Sequence, residues 1–140
     1  MMFSRADEYA IRAMTFLAGQ PAGKLTGARE ISKAENIPMQ FLWKILQNLA
    51  KRRLIRSFKG LRGGYELAQR ADQVTLSMVL QANDGADRFG RCVLGLPHCS
   101  DGNPCPLHEK WRGLRSGMQE MLENSTLADL AAKAKAAVRS

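Results

Sequence analysis

Residues 38–68, PMQFLWKILQNLAKRRLIRSFKGLRGGYELA, carry two kinds of periodicity one after the other. The first part repeats apolar residues at helical spacing, namely Leu42, Ile45, Leu46 and Leu49. Pro38 suits the start of that helix, because its fixed φ is already helical and its missing N–H is not needed there. The second part predicts two short strands, 54–58 and 65–68, around a glycine-rich turn. The stretch therefore predicts a helix followed directly by a β-hairpin.

A short helix is predicted just before this stretch. We expect Thr26 to cap it and Asn36, which tolerates the left-handed conformation, to end it after Lys33. A short helix, a tight turn and a second helix form the helix-turn-helix pattern. The second helix then has an outer, mostly polar side, made of Gln40, Trp43, Lys44 and Gln47.

A longer helix is predicted at the start of the chain, over residues 5–18. Ser4 and Asp7 have the spacing of a capping box, and Gly19 suits the end of the helix. The residues expected on its buried stripe are Ala6, Tyr9, Ala10, Ala13, Phe16 and Leu17.

The net charge of +8 comes entirely from the first half of the chain. Residues 1–70 contain 13 basic and 5 acidic side chains, whereas residues 71–140 contain 8 of each. Seven cations with no carboxylate among them lie within residues 44–62, namely Lys44, Lys51, Arg52, Arg53, Arg56, Lys59 and Arg62. Such a run is typical of a surface that binds a polyanion, most often nucleic acid, and a solvated basic face is the alternative.

A hairpin placed directly after a helix-turn-helix indicates the wing of a winged DNA-binding domain. Its glycine turn does not open a helix, which a phosphate-cradling nucleotide loop must do. We therefore expect contacts to double-stranded DNA from three places in the chain. The expected residues are Gln40, Trp43 and Lys44 at base edges, Lys59, Arg62 and Gly63 on the wing, and Ser4 and Arg5 at phosphates.

Three cysteines and a histidine follow in the second half. Residues 75–83 predict a capped apolar helix that closes the core, and residues 83–90 predict a turn-rich linker. The cysteines then fall within 14 residues and a histidine follows them, in the order Cys92, Cys99, Cys105 and His108. Thiolates and an imidazole in a loop rich in glycine and proline suit zinc or an iron–sulfur cluster, and the spacing does not choose between them. His98 is expected to face solvent.

A long helix is predicted after the cysteine loop. Its apolar residues are spaced by 4, 3, 4 and 3, namely Leu107, Trp111, Leu114, Met118 and Met121. This stripe packs either on the core of its own chain or on a second copy. We favour a homodimer interface, because a lone helix with so large an apolar face needs a partner. Residues 124–126 are expected to end this helix and cap a last one.

Other classes of protein are disfavoured. The longest stretch without a charged residue has 11 residues, whereas a membrane span needs about 20 apolar ones. Both histidines lie at the cysteine loop, and no nucleophile with a base, nor a pair of catalytic carboxylates, is visible, so an enzyme is not expected. The first residues lack the basic and apolar regions of a secretory signal, so we expect a cytoplasmic protein without disulfides.

Five segments together resemble one family over essentially the whole chain. They are SRADEYAIRAM (4–14), FLWKILQNLAKRRLI (41–55), KGLRGGYELA (59–68), CPLHEKW (105–111) and TLADL (126–130). The chain resembles the Rrf2 family of bacterial winged-helix regulators. The resemblance implies a homodimeric transcription factor, usually a repressor, that binds a palindromic operator and senses redox state, nitric oxide or iron through an iron–sulfur cluster.

The resemblance also implies a set of cluster ligands. Cys92, Cys99 and Cys105 match the family's three cysteines. His108 matches the histidine ligand of members of the IscR type, and Glu8 matches the acidic ligand that the partner subunit's first helix supplies in the NsrR type. We place His108 first and Glu8 second, because a histidine inside the cysteine motif needs no chain crossing. A [2Fe–2S] cluster is expected ahead of a [4Fe–4S] cluster. The alternative is a zinc-bound or metal-free winged-helix regulator, or an interaction module, that uses the cysteines structurally or as thiol sensors.

The predicted fold is thus mainly α. Residues 1–83 are expected to form a winged helix-turn-helix domain with a two-stranded β wing. Residues 84–140 are expected to contribute the cysteine loop, 92–108, and a long C-terminal dimerisation helix.

Overall fold

The computed structural model describes residues 3–84, 94, 96 and 102–139, of which 84 and 134–139 are described by their backbone alone. The helices in these residues are α1 (Arg5–Ala18), α2 (Ala28–Glu35), α3 (Met39–Lys51), α4 (Leu76–Asp84), α5 (His108–Asn124) and α6 (Leu127–Arg139). Strands β1 (Ile55–Phe58) and β2 (Gly64–Leu67) pair antiparallel between α3 and α4. This order confirms the predicted mainly helical, winged fold. None of the described helices is long and apolar enough to cross a membrane.

Helix α1 lies at the centre of the fold and packs against α3, α4 and α6. The predicted capping box is present: Ser4 Oγ accepts the Asp7 N–H at 3.1 Å, and Asp7 Oδ2 accepts the Ser4 N–H at 2.9 Å. The predicted stripe was too narrow, because neighbours surround α1 on more than one side. Ala6 is exposed, contrary to expectation, whereas Met14 and Asp7 are buried.

Helices α2 and α3 form the predicted helix-turn-helix. Asn36 ends α2 in the left-handed conformation, with φ 53° and ψ 52°, as expected. The prediction that Thr26 caps α2 was wrong, because Gly27 occupies the cap position. Thr26 is extended instead and exchanges two backbone hydrogen bonds with Tyr65 of β2, at 3.0 and 2.8 Å. It therefore adds a one-residue third strand to the wing.

The C-terminal helices complete the core of the winged domain. The first turn of α4 is capped by Thr75, whose Oγ1 accepts the Met78 N–H at 3.2 Å. Leu127, at the start of α6, is fully buried in the same apolar cluster as α1 and α3. Thr126 caps α6, as predicted, through reciprocal 3.2 Å hydrogen bonds with Asp129. The division of the chain at 83/84 stays a prediction, and the predicted linker after Asp84 lies outside the described residues.

The hydroxyl of Thr26 is fully buried and has no hydrogen-bond partner among the described residues. Replacing Thr26 with valine, which has nearly the same shape, is expected to raise the free energy of unfolding by about 1 kcal/mol. The matched control is Thr15→Val, since Thr15 Oγ1 donates to the Ile11 carbonyl at 2.7 Å. Urea denaturation of both variants checks this, and a less stable Thr26→Val protein would contradict it.

Candidate nucleic-acid interface and cysteine loop

Helix α3 separates its side chains by face as the sequence predicted. The buried face consists of Leu42, Ile45, Leu46 and Leu49. The outward face consists of the exposed residues Gln40, Trp43, Lys44 and Gln47. Within the described part of the chain, no hydrogen bond or ion pair engages the side chains of Gln40, Lys44 or Gln47. These groups are therefore available to an external ligand.

The start of α1 lies beside the start of α3. The Tyr9 and Phe41 rings are 6.1 Å apart, and the Arg12 guanidinium lies 5.6 Å from the Tyr9 ring centroid. A hydrogen bond to Tyr9 raises the pKa of Arg5 above its ordinary value. Arg5, which the sequence predicted at a phosphate, is exposed one helical turn before Tyr9, whose ring lies beside Phe41 of α3. Ser4 is exposed, and its hydroxyl serves the α1 cap.

Two further cations were missed by the sequence reasoning. Arg29 and Lys33 lie one helical turn apart on α2 and, with Asn36, line a surface groove between α2 and α3. Both are exposed, and neither has an ion-pair partner within the described ranges. The first helix of a helix-turn-helix crosses the DNA backbone, so cations on its outer side suit phosphates. In the sequence, the i, i+4 spacing of Arg29 and Lys33 could have indicated that both cations lie on one face of the short helix.

The wing presents positive charge at its tip. Lys59 and Arg62 are exposed. Of the seven predicted cations, all of which lie in the described part, Arg56 is the one with an ion pair, to Glu66 at 3.8 Å. Gly63 closes the turn, since its N–H donates to the Gly60 carbonyl at 3.0 Å. A Cβ at Gly63 would lie 2.1 Å from the Phe58 carbonyl oxygen, so no side chain fits there.

The structure describes two of the predicted cluster ligands in the cysteine loop. Cys105 is half-buried and His108, the first residue of α5, is buried. The His108 N–H donates to the Cys105 carbonyl at 3.0 Å, so one turn supplies a thiol and an imidazole. Cys92 and Cys99, like His98, lie outside the described residues. No group of three metal-binding side chains occurs among the residues that are described. Glu8, the alternative ligand, is half-buried on α1. The ligand set stays a prediction.

A buried polar network joins the end of α4 to both α1 and α3, and the sequence reasoning did not find it. Asp7 is 1% exposed, and its Oδ1 accepts from Asn83 Nδ2 at 3.2 Å. The Asn83 carbonyl accepts from Asn48 Nδ2 of α3 at 2.8 Å. Asn83 lies close to the end of α4, the last described helix before the cysteine loop in the sequence. The network therefore connects that end of α4 to α3, the candidate recognition helix.

The predicted dimer stripe on α5 divides into two parts. Trp111 and Met118 pack against a cluster of this chain's own residues, Leu76, Leu80 and Leu122. Leu107, Leu114 and Met121 remain 40%, 66% and 49% exposed, at a spacing of seven residues. The exposed part of the predicted five-residue stripe therefore consists of Leu107, at the N-cap of α5, and of Leu114 and Met121 on the helix itself, and the dimer interface stays a prediction.

The model of the Rrf2 family, which is described as an iron-dependent transcriptional regulator, matches residues 3–133 of the chain. The chain belongs to the Rrf2 family. A helix-turn-helix transcriptional regulator of Mycobacterium tuberculosis is 41% identical over 94% of this chain and 81% of its own length. The regulator IscR of Sodalis glossinidius is 32% identical over 93% of this chain and 78% of its own.

Solved structures of the Rrf2 family share the fold. CymR, the global cysteine regulator of Bacillus subtilis, superposes with a TM-score of 0.79 at 24% identity and covers 94% of this chain and 96% of its own. As an Rrf2 regulator, this chain is a DNA-binding transcriptional regulator rather than an enzyme. The predictions of family, fold and general function are confirmed.

Proposed function

We propose that this Rrf2 regulator is a cytoplasmic homodimeric repressor whose affinity for a palindromic operator is set by an iron–sulfur cluster in the cysteine loop. The observation that carries the DNA part is the set of unengaged polar and basic groups on the exposed face of α3. Helix α3 packs against both α2 and strand β1 of the wing, and exposed cations lie on α2, on α3 and at the wing turn. A helix and a β-ribbon in this arrangement suit the major groove and the adjacent backbone or minor groove.

The dimer part of the proposal rests on α5. Three large apolar side chains at heptad spacing are exposed on one helix, and coiled-coil pairing with a second copy would cover them. A two-fold dimer places two α3 helices and two wings in a symmetric arrangement. Its symmetry matches that of a palindromic operator, with one half-site for each subunit.

The cluster part of the proposal rests on the donor set. The half-buried Cys105 and the buried His108 come from one turn and offer the soft sulfur and imidazole donors that iron–sulfur clusters accept. Cys92 and Cys99 would complete the set, with Glu8 of the partner subunit as the alternative to His108. When bound, the cluster supplies a redox-active and nitric-oxide-reactive group. The family description, iron-dependent transcriptional regulator, agrees with this proposal.

The cluster would control DNA affinity by stabilising one arrangement of α5, α4 and α3 more than another. Ligation by Cys105 and His108 would hold the first turn of α5 in place, and α5 packs on α4. The Asn83 hydrogen bonds connect the end of α4 to α3. A bound group can shift DNA affinity only by favouring one arrangement of these helices over another.

The DNA surface is tested by a salt titration. The double variant Lys59→Ala and Arg62→Ala is expected to flatten the log–log slope of affinity against salt by about 0.9 for each lost phosphate contact. Lys24→Ala with Arg70→Ala is the matched control, because these exposed cations already pair with Glu30 and Asp72. An unchanged slope in the wing variant would remove the wing from the DNA footprint.

The cluster is tested by anaerobic purification, an absorption spectrum, and iron and sulfide analysis. We expect a coloured protein, and loss or change of its spectrum in Cys105→Ala and His108→Ala. His98→Ala is the matched control and should keep the wild-type spectrum, while Glu8→Ala tests the alternative ligand. A colourless protein with stoichiometric zinc would overturn the cluster and leave the DNA surface intact.

A further inference from the structure

Helix α3 carries an unusual set of groups on its outward face. Gln40, Trp43, Lys44 and Gln47 lie at the i, i+3, i+4 and i+7 positions of one helix stripe. The whole helix, from Met39 to Lys51, contains no carboxylate. The face therefore offers two amides, one cation and one large aromatic surface to whatever it contacts.

Trp43 is the residue that needs an explanation. Its side chain is 49% exposed, whereas the leucine and isoleucine residues of α3 are all buried. Phe41 is similarly exposed, at 51%, but its ring packs beside Tyr9. Trp43 makes no ring contact or hydrogen bond with any residue that the structure describes. Its indole thus stands among the polar groups that would enter a DNA groove.

The chemistry of the major groove matches this set to particular bases. Thymine presents a methyl group there, which apolar side chains contact, and glutamine amides pair with the N6 and N7 atoms of adenine. The cytosine N4 amino group donates a hydrogen bond that a carboxylate typically accepts, and α3 contains no carboxylate. Lys44 is left for a guanine edge or a phosphate.

We propose that Trp43 is a specificity-determining residue that reads thymine methyl groups, with Gln40 and Gln47 directed to adenine in the same half-site. This inference rests on the proposed DNA-binding function and adds the class of base pair that α3 recognises. The half-site in the major groove is accordingly built around A·T pairs, with the thymine methyl packed against the indole.

The test begins with selection of an operator from random duplex DNA by the protein of 140 residues. Each thymine of the selected site is then replaced by deoxyuridine, which removes the methyl group and leaves the Watson–Crick edge unchanged. In wild-type protein, at least one such replacement per half-site is expected to weaken binding about fourfold, the value of one buried methyl group. In Trp43→Ala the same replacement should have no effect.

Phe41→Ala is the matched control, because Phe41 is an equally exposed aromatic residue on the same helix but packs beside Tyr9. It should keep the sensitivity to deoxyuridine, and thermal unfolding checks that both variants are folded. Specific binding in which no thymine methyl matters, or equal sensitivity in wild type and Trp43→Ala, would overturn the inference while leaving the regulator intact. Absence of any sequence-specific duplex binding would overturn the proposed function and this inference together.

Discussion

Replacing Asp7 with alanine is expected to lower the free energy of unfolding by about 2–4 kcal/mol, because it leaves the buried Asn83 amide without its acceptor and also removes half of the α1 capping box. Asp7 is 1% exposed and accepts hydrogen bonds from the Ser4 N–H and from Asn83 Nδ2. Asn83 in turn holds Asn48 of α3. Loss of the Asp7 carboxylate should therefore weaken both the first turn of α1 and the hydrogen-bonded link to α3. Urea denaturation measures the decrease in the free energy of unfolding.

The chain offers a matched control for Asp7. Asp129 occupies the same capping-box position on α6, with Thr126 in the place of Ser4, but it is exposed. The hydrogen bond from the Thr126 N–H lowers the pKa of Asp129, so its contribution to stability is present at neutral pH and is lost as pH falls through that lowered value. Asp129→Ala should cost clearly less than Asp7→Ala. Equal losses would show that the caps matter and the buried network does not.

Replacing Gly63 with alanine is expected to disrupt the wing. The added Cβ would meet the Phe58 carbonyl oxygen at 2.1 Å and the Lys59 carbonyl carbon at 2.8 Å, both of them backbone atoms. The turn must open to relieve the overlap, at a cost of about 1–3 kcal/mol typical of overpacking. Because Lys59 and Arg62 lie on this turn, operator affinity should fall at least as far as in the double variant of those residues.

Gly113→Ala is the control for Gly63→Ala. Gly113 lies in α5 with nothing within 4 Å of an added Cβ. Alanine there should leave DNA affinity unchanged and raise stability by up to about 1 kcal/mol, the difference in helix propensity. A Gly63→Ala protein with normal operator affinity would show that the wing tip does not contribute to binding.

The candidate site was partly predictable because its signals are local. The outward face of α3 follows from apolar spacing within one helix, and the wing follows from a glycine turn between two short strands. Arg29 and Lys33 were overlooked, since two cations on a short helix gain meaning only when α2 is placed beside α3. The burial of Asp7 was also not predictable, because the capping-box pattern does not specify whether its carboxylate is exposed or buried.

The sequence by itself determined the helices, the wing and the concentration of positive charge on the N-terminal half, since capping, periodicity and turn chemistry act between residues a few positions apart. The tertiary structure alone decided the role of Thr26, because its backbone pairs with Tyr65, far along the chain, rather than capping α2. It also decided which apolar residues of α5 are covered. Trp111 and Met118 meet α4, whereas Leu107, Leu114 and Met121 remain exposed. A helical stripe specifies an apolar face, and the position of the neighbouring helix determines which edge of that face is buried.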